Sequence, residues 1–228
     1  MNLVVATKNK KKLEEIKEIL KGLNLKILSL IDYPRAPRII ENGRTFRENA
    51  IKKAVKIAKF TGKLTLGEDS GLCVDALGGK PGVYSSRFAG KDKNDRKNNF
   101  KLLKLLEGLP LSKRRAHYYC AVALAIGSQT TAFWPVALAI GSQTTAFWPV
   151  ALADKDGLVG VAEGKCSGFI GFTLKGNFGF GYDPLFVIPK YKKTFAQLGP
   201  RIKHKMSHRF RALQKAKAIL TTYLKRNP

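Results

Sequence analysis

The sequence predicts an α/β protein built on a mixed β-sheet flanked by helices, and three observations lead there. Strand-like apolar runs and amphipathic helical stretches mix along nearly the whole chain. The chain enters directly on Asn2-Leu3-Val4-Val5-Ala6, with the continuous apolar character of a buried strand. Two further strand-like segments face each other across Asp154-Lys155-Asp156-Gly157, a turn sequence suited to antiparallel neighbours. A length of 228 residues suits one large domain or two lobes sharing a core, and 44 % apolar residues can fill that core.

Residues 2–7 read as the first strand, and 9–21 as a helix with Leu13, Ile16, Ile19 and Leu20 on one face. A short strand is expected at Leu25–Leu30. A second amphipathic helix is expected over 45–62, with Phe46, Ala50, Ala54, Ile57 and Ala58 along its stripe and Gly62 as its stop. Leu64–Leu66 reads as a strand running into an acidic turn, Gly67-Glu68-Asp69-Ser70-Gly71. A helix over 92–107 ends at Gly108, with Pro110 beyond. Strands follow at about 115–125 and 157–164, and the last helix runs from the N-cap Ser207 to about Tyr223. No inter-domain linker stands out.

One segment breaks the order. Residues 122–135 recur without change at 136–149, and Val150-Ala151-Leu152-Ala153 begins a third copy. The two copies carry no charge, although a quarter of the chain is charged. So short and perfect a repeat is unlike a solenoid. It reads as a duplication at the tip of a hairpin, and both tryptophans, Trp134 and Trp148, fall inside it.

Composition excludes some classes. No apolar run is long enough for a membrane span, and because the strand-like opening residues lack the n-region and h-region of a leader, none is expected. Cys73, Cys120 and Cys166 are widely spaced and odd in number, which fits neither a disulfide framework nor a metal knuckle and points to a cytoplasmic setting. The net charge of +26 attracts polyanions, nucleic acid and nucleotides alike. Because the basic residues are spread rather than clustered, no specific nucleic-acid partner is expected.

Five constellations carry chemistry. Thr7-Lys8-Asn9-Lys10-Lys11-Lys12 places a hydroxyl, an amide and Lys12 at a strand-to-helix junction, where free backbone N–H groups can cradle phosphate. Glu41, Glu68 and Asp69 fall at element ends in a chain with only sixteen acids. Such carboxylates can hold Mg²⁺ in oxygen coordination and deprotonate a water, although turn and capping roles are the commoner use of acids at such places. Asn49 and Lys53 share one helix face, an amide and an ammonium suited to a triphosphate. Gly176-Asn177-Phe178-Gly179-Phe180-Gly181-Tyr182-Asp183-Pro184 offers a flat aromatic face beside a fixed acid. Lys203 and Ser207-His208-Arg209 set donors at a helix start, able to read a purine carbonyl and to reject an exocyclic amine.

Taken in this order, the segments TKNKKK at 7–12, ENGRTFRENAIKKA at 41–54, GEDSGLCVDALGGKPGVYSSRFAG at 67–90, GFGYDP at 179–184 and SHR at 207–209 closely resemble the inosine triphosphate pyrophosphatase family. The resemblance spans nearly the whole chain apart from 122–149. It implies a single two-lobed pyrophosphatase domain over 1–228 on a long mixed sheet, and a homodimer. The implied reaction is Mg²⁺-dependent hydrolysis of ITP, dITP or XTP to monophosphate and pyrophosphate. Carried onto this chain, it implies that Thr7, Asn9, Lys12, Asn49 and Lys53 hold the triphosphate, with Lys53 and Asp69 catalytic. Glu41 and Asp69 would bind the metal with Glu68 beside them, and Asp69 would activate water. Phe180 would stack on the base, and Tyr182, Asp183, Lys203, His208 and Arg209 would surround it, with Ser70 near the sugar–phosphate. Glu68 stands where an aspartate is usual, Phe178 where a glycine is common, Gln197 where an acid is common, and Pro200-Arg201-Ile202 replaces an acidic approach to Lys203. Two other readings stay open: a pyrophosphatase with a different base preference, and a basic nucleic-acid-binding protein on an inactive scaffold.

Overall fold

The computed structural model describes residues 1–127 and 157–227. Most of the tandem repeat, both tryptophans and the turn residues 154–156 lie outside the described residues. Among the described residues, seven strands form one mixed sheet in the order β2-β1-β3-β4-β5-β6-β7. They are β1 (Asn2–Val5), β2 (Lys26–Ser29), β3 (Leu64–Val74), β4 (Arg115–Ala125), β5 (Leu158–Ile170), β6 (Phe186–Ile188) and β7 (Lys193–Thr194). β1 lies parallel to both β2 and β3, and every other pairing is antiparallel. The helices are α1 (Lys10–Ile19), α2 (Phe46–Thr61), α3 (Asp95–Leu105), α4 (Phe195–Met206) and α5 (His208–Arg226).

Each helix start has a local chemical cause. The side chains of Asn9, Thr45, Asn94, Thr194 and Ser207 accept hydrogen bonds from backbone N–H groups of the first turn that would otherwise lack partners. The N-cap role expected of Ser207 holds. α4 was not anticipated, because Gly199 and Pro200 interrupt its pattern; Gly199 has a left-handed φ of 74° at a kink.

The stretch 67–71 corrects the sequence reading. It is not a turn; β3 runs unbroken from Leu64 to Val74, and Gly67 to Gly71 pair in register with Ala123 to Tyr119. Glycine, aspartate and serine favour turns, yet the long antiparallel partner supplies a ladder that overrides the local preference. Likewise β5 extends to Ile170, well past the expected 164, and α3 is shorter than 92–107.

Strand alternation sorts the core. On one sheet face, Leu3, Val5, Leu66, Cys120, Val122 and Leu124 pack against Ile16 and Ile19 of α1 and Ala212, Leu213 and Ala216 of α5. Farther along that face, Leu72, Val74, Tyr118, Cys166, Phe186 and Phe195 form a second core with Leu102 of α3. On the opposite face the contact of α2 with β4 is small, Ala121, Ala123 and Ala125 meeting Ala50, Ala54 and Ala58, while Val4, Leu30 and Ile57 pack beside it.

Two glycines set the helix distances. A Cβ on Gly67 would lie 2.2 Å from the Ala50 carbonyl oxygen, and one on Gly164 would lie 2.3 Å from the His208 carbonyl oxygen. Backbone cannot yield there as a side chain can, so α2 and α5 approach the sheet only because those positions lack side chains. Gly164→Ala is expected to lower stability by about 1–3 kcal/mol through overpacking, read as a lower midpoint of urea unfolding.

Candidate active site

β1 stops at Val5, paired with Leu66 of β3, while β3 continues to Val74. Beyond Leu66, no strand of the described residues pairs with that edge of β3 until the 3-10 turn at Gly82–Arg87 covers it, where Ser85 Oγ accepts from Leu72 N at 2.9 Å. The open stretch lies at the carboxyl end of a parallel strand, the usual place for ligands in open α/β sheets. Thr7–Lys12 close it from one side: the Thr7 hydroxyl accepts from Asn9 N at 3.1 Å, and Asn9 Oδ1 accepts from Lys12 N at 3.1 Å. The sequence-predicted side chains gather on both faces of this edge.

On the α2 face stand Glu41, Asn49, Lys53 and Asp69. The Lys53 ammonium lies 2.8 Å from Glu41 Oε2 and 2.9 Å from Asp69 Oδ1, and it also donates to the Glu68 carbonyl oxygen at 3.2 Å. Asn49 donates from Nδ2 to Asp69 Oδ2 at 3.2 Å and accepts from Gly43 N at 2.8 Å. Burial raises the Asp69 pKa despite Lys53 and Lys12 nearby. Burial also works to raise that of Glu41, but Lys53 prevails and holds it below the usual carboxylate range. Burial opposes the charge on Lys53 as well, and Asp69 and Glu41 outweigh it, so its pKa is raised.

On the α5 face stand Lys12, Glu68, Ser70 and Arg209. Lys12 pairs with Glu68 at 2.9 Å and donates to Ser70 Oγ at 3.3 Å. Arg209 reaches Glu68 at 3.2 Å and Ser70 Oγ at 3.1 Å. Consecutive strand residues point to opposite faces, so Glu68 and Asp69, read together in the sequence, are separated by the sheet. The buried Glu68 carboxyl is opposed by desolvation but driven well below its ordinary pKa by Arg209 and Lys12.

A cavity of about 430 Å³ opens on this face, lined by Asn9, Lys12, Ser70, Phe180, Tyr182, Asp183, Lys203, His208 and Arg209 among others. Asp183 accepts from Phe180 N at 2.9 Å and pairs with Lys203 at 2.7 Å. Lys203 Nζ lies 4.6 Å from the Phe180 ring centre, and the Arg209 guanidinium 5.6 Å from it. His208 is buried and stacks on Tyr118 at 4.6 Å. Burial, with Arg209 and Lys203 beside it, pushes its pKa well below the ordinary value. The imidazole is therefore neutral, and its Nδ1 has no hydrogen-bond partner among the described residues. Tyr182 instead uses its hydroxyl structurally, donating to the Ser85 carbonyl at 2.8 Å. A larger groove of about 660 Å³ lies elsewhere, by Phe100, Leu109 and Phe172. Its one buried cation, Arg114, is spent on the carbonyls of Ile170, Leu106 and Gly171, which leaves that groove without comparable chemistry.

A match to the model of the Ham1 family covers residues 3–219. The chain belongs to the Ham1 family. It is 46 % identical over 220 residues to the dITP/XTP pyrophosphatase of Desulforamulus reducens, covering 96 % of each chain. It is 43 % identical over 218 residues to the dITP/XTP pyrophosphatase of Shouchella clausii, again covering 96 % of each. Among solved structures it is similar to a HAM1 protein from Coxiella burnetii, with a TM-score of 0.78, 35 % identity, and coverage of 97 % of this chain and 99 % of that one. The Ham1 protein of Staphylococcus aureus gives a TM-score of 0.76 at 32 % identity, covering 98 % and 100 %. The resemblance drawn from the motifs, and the α/β fold on a mixed sheet, are borne out.

Sequence reasoning missed Glu15 and Lys93. Lys93 lines the cavity mouth, and its charge helps to hold Glu41 ionised. Glu15 is buried and pairs with both Lys203, at 3.0 Å, and Arg209. A signal for Glu15 existed: it sits beside Ile16 and four residues before Ile19, both on the apolar face of α1, and an acid there needs a buried cation. Desolvation works against its charge, yet Arg209 and Lys203 bring its pKa from 4.5 down to about 2. A depressed carboxyl contributes stability above its unfolded pKa and loses it as pH falls through the folded one. Glu15→Gln is expected to cost about 3 kcal/mol at neutral pH. In urea unfolding, the gap from wild type should close as pH drops from about 4.5 toward about 2.

Proposed function

We propose that this protein hydrolyses the non-standard purine nucleoside triphosphates ITP, dITP and XTP to nucleoside monophosphate and pyrophosphate, with Mg²⁺. The observation that carries the reading is the Lys53 ammonium held between the carboxylates of Glu41 and Asp69, across a bare strand edge from a cation-lined cavity with an aromatic floor.

The donor set fits the metal. Glu41 and Asp69 offer hard carboxylate oxygens close enough to share one cation, which is how Mg²⁺ is held by one or two acids plus substrate phosphates. Glu68 serves instead as the counter-ion of Lys12 and Arg209. When bound, Mg²⁺ supplies charge neutralisation at the phosphates and a lowered water pKa. Among the chain's own residues, Asp69 takes the proton of the attacking water, its two oxygens oriented by Lys53 and Asn49. Attack falls on the α-phosphate. The strand-to-helix junction at Thr7–Lys12 cradles the polyphosphate with the free backbone N–H groups at the start of α1, and Lys12 and Lys53 stabilise charge developing on the departing pyrophosphate.

At the other end Phe180 stacks on the base, with Asp183 and Lys203 behind it and His208 and Arg209 at the base edge. Lys203 and Arg209 are obligatory donors. A purine carbonyl at position 6 satisfies a donor, whereas an exocyclic amine sets donor against donor and leaves buried groups unpaired. In this reading the protein acts in the cytoplasm as a homodimer, a state that light scattering would check. No helix of the described residues is long and apolar enough to cross a membrane.

The decisive assay is pyrophosphate release from ITP, XTP, dITP, ATP and GTP with and without Mg²⁺. Equal kcat/KM for ITP and ATP would sink the carbonyl-reading argument, and salt-sensitive RNA binding without turnover would favour an inactive scaffold. Asp69→Asn is expected to abolish turnover while ITP binding by calorimetry largely survives; retained activity would remove Asp69 from the chemistry. His208→Ala is expected to reduce the ITP/ATP discrimination by about tenfold with turnover persisting. Unchanged discrimination would refute its role at the base edge.

A further inference from the structure

The turn that carries Phe180 is held from outside. Gly181 has a left-handed φ of 64°, and a glycine there imposes little restraint of its own. Both backbone polar groups of Gly181 are instead captured by the first two turns of α3. Its N–H donates to Asp95 Oδ2 at 2.7 Å, and its carbonyl accepts from Asn99 Nδ2 at 2.8 Å. Asp95 and Asn99 lie four apart, on one helix face. The Asn99 amide also donates to the Asp95 carbonyl at 2.8 Å, which locks the two together.

α3 is in turn anchored to the segment that closes the edge of β3. Asn94 caps it, accepting from Lys97 N at 3.0 Å. Asn98 accepts from Ala89 N at 2.7 Å and donates to the Ser86 carbonyl at 3.2 Å. Phe180 is thus tethered by Asp183 from within the cavity, by Lys11 through the carbonyl of its neighbour Gly179 at 3.2 Å, and by the Asp95–Asn99 pair through its other neighbour Gly181. Asn99 is buried, and its Oδ1 has no partner among the described residues, so its amide is committed to this clamp rather than to a wider network.

We propose that Asp95 and Asn99 are positioning residues for base recognition, acting through the Gly181 peptide to set the plane of Phe180. This rests on the functional reading above and deepens it at the same site. A stacking ring freed from one tether samples orientations that do not meet the base, and the loss falls on substrate and transition state alike. It should therefore appear in KM rather than in kcat.

The test compares Asp95→Ala with Asp95→Asn, which are matched in charge but differ in whether an acceptor for Gly181 N remains. Asp95 is exposed, so neither change threatens the fold, and Asn99→Ala serves as the second variant. Expected are an ITP KM raised about tenfold in Asp95→Ala and Asn99→Ala, kcat within about twofold, a smaller ITP/ATP ratio, and rescue by Asp95→Asn. Inhibition by tripolyphosphate, which has no base, should be equal in Asp95→Ala and Asp95→Asn. An ITP KM in Asp95→Ala equal to that of Asp95→Asn would overturn the proposal. So would a loss of tripolyphosphate inhibition as large as the loss for ITP. Absence of ITP turnover in the wild-type protein would overturn the functional reading itself, and this inference with it.

Discussion

Arg209 is the group on which the rest of the site depends. Its guanidinium is almost wholly buried at the start of α5, between Glu15 from α1 and Glu68 from β3. A buried charge is tolerated only when paired and hydrogen-bonded, and removing one partner leaves the others uncompensated. Three elements distant in sequence are thereby held to one geometry. Lys12 and Lys203 extend the network, Lys12 through Glu68 and Lys203 through Glu15 and Asp183. The cations that face the cavity are thus positioned by acids behind them, so their orientation is set before any ligand arrives.

The sheet divides the labour. Alternation along β3 sends Glu68 and Ser70 toward α5 and Asp69 toward α2. Because β1 ends at Val5, the backbone between those side chains is left open at the edge, and a polyphosphate lying there can meet both sets at once. The Ala-on-Ala packing of α2, with the side-chain-free Gly67 beneath it, brings Asn49 and Lys53 close enough to touch Asp69. Gly164 does the same for His208 and Arg209 on the other face. Small residues at the two helix contacts are therefore a condition for the chemistry as well as for the packing.

Much of this was legible along the chain. The strand at 115–125, the helix over 45–62 with its Gly62 stop, and the Ser207 cap follow from periodicity and end chemistry. The residues around the cavity could be named because amides, hydroxyls, lysines and a glycine–aromatic turn sit at element ends, where ligands are met. Glu15 is not legible in the same way, because an acid beside another acid on a lysine-rich helix looks solvated; only the distant Lys203 and Arg209 make it a core residue. The composition of 67–71 favours a turn, whereas its pairing with β4 is a contact between residues about fifty positions apart.

By itself the sequence determined which chemical groups were present, the period on which most helices and strands rest, and the family to which the motifs belong. Those are local properties, set by side-chain shape, hydrogen-bonding capacity and spacing. Tertiary structure alone decided which face of the sheet each acid occupies, which cation neutralises it, and which helix steadies the aromatic turn. Those outcomes depend on where β1 stops, on how closely two helices can approach two glycines, and on the pairing of buried charges. Each is a balance of desolvation against contacts between segments far apart in the chain, and no local pattern encodes it.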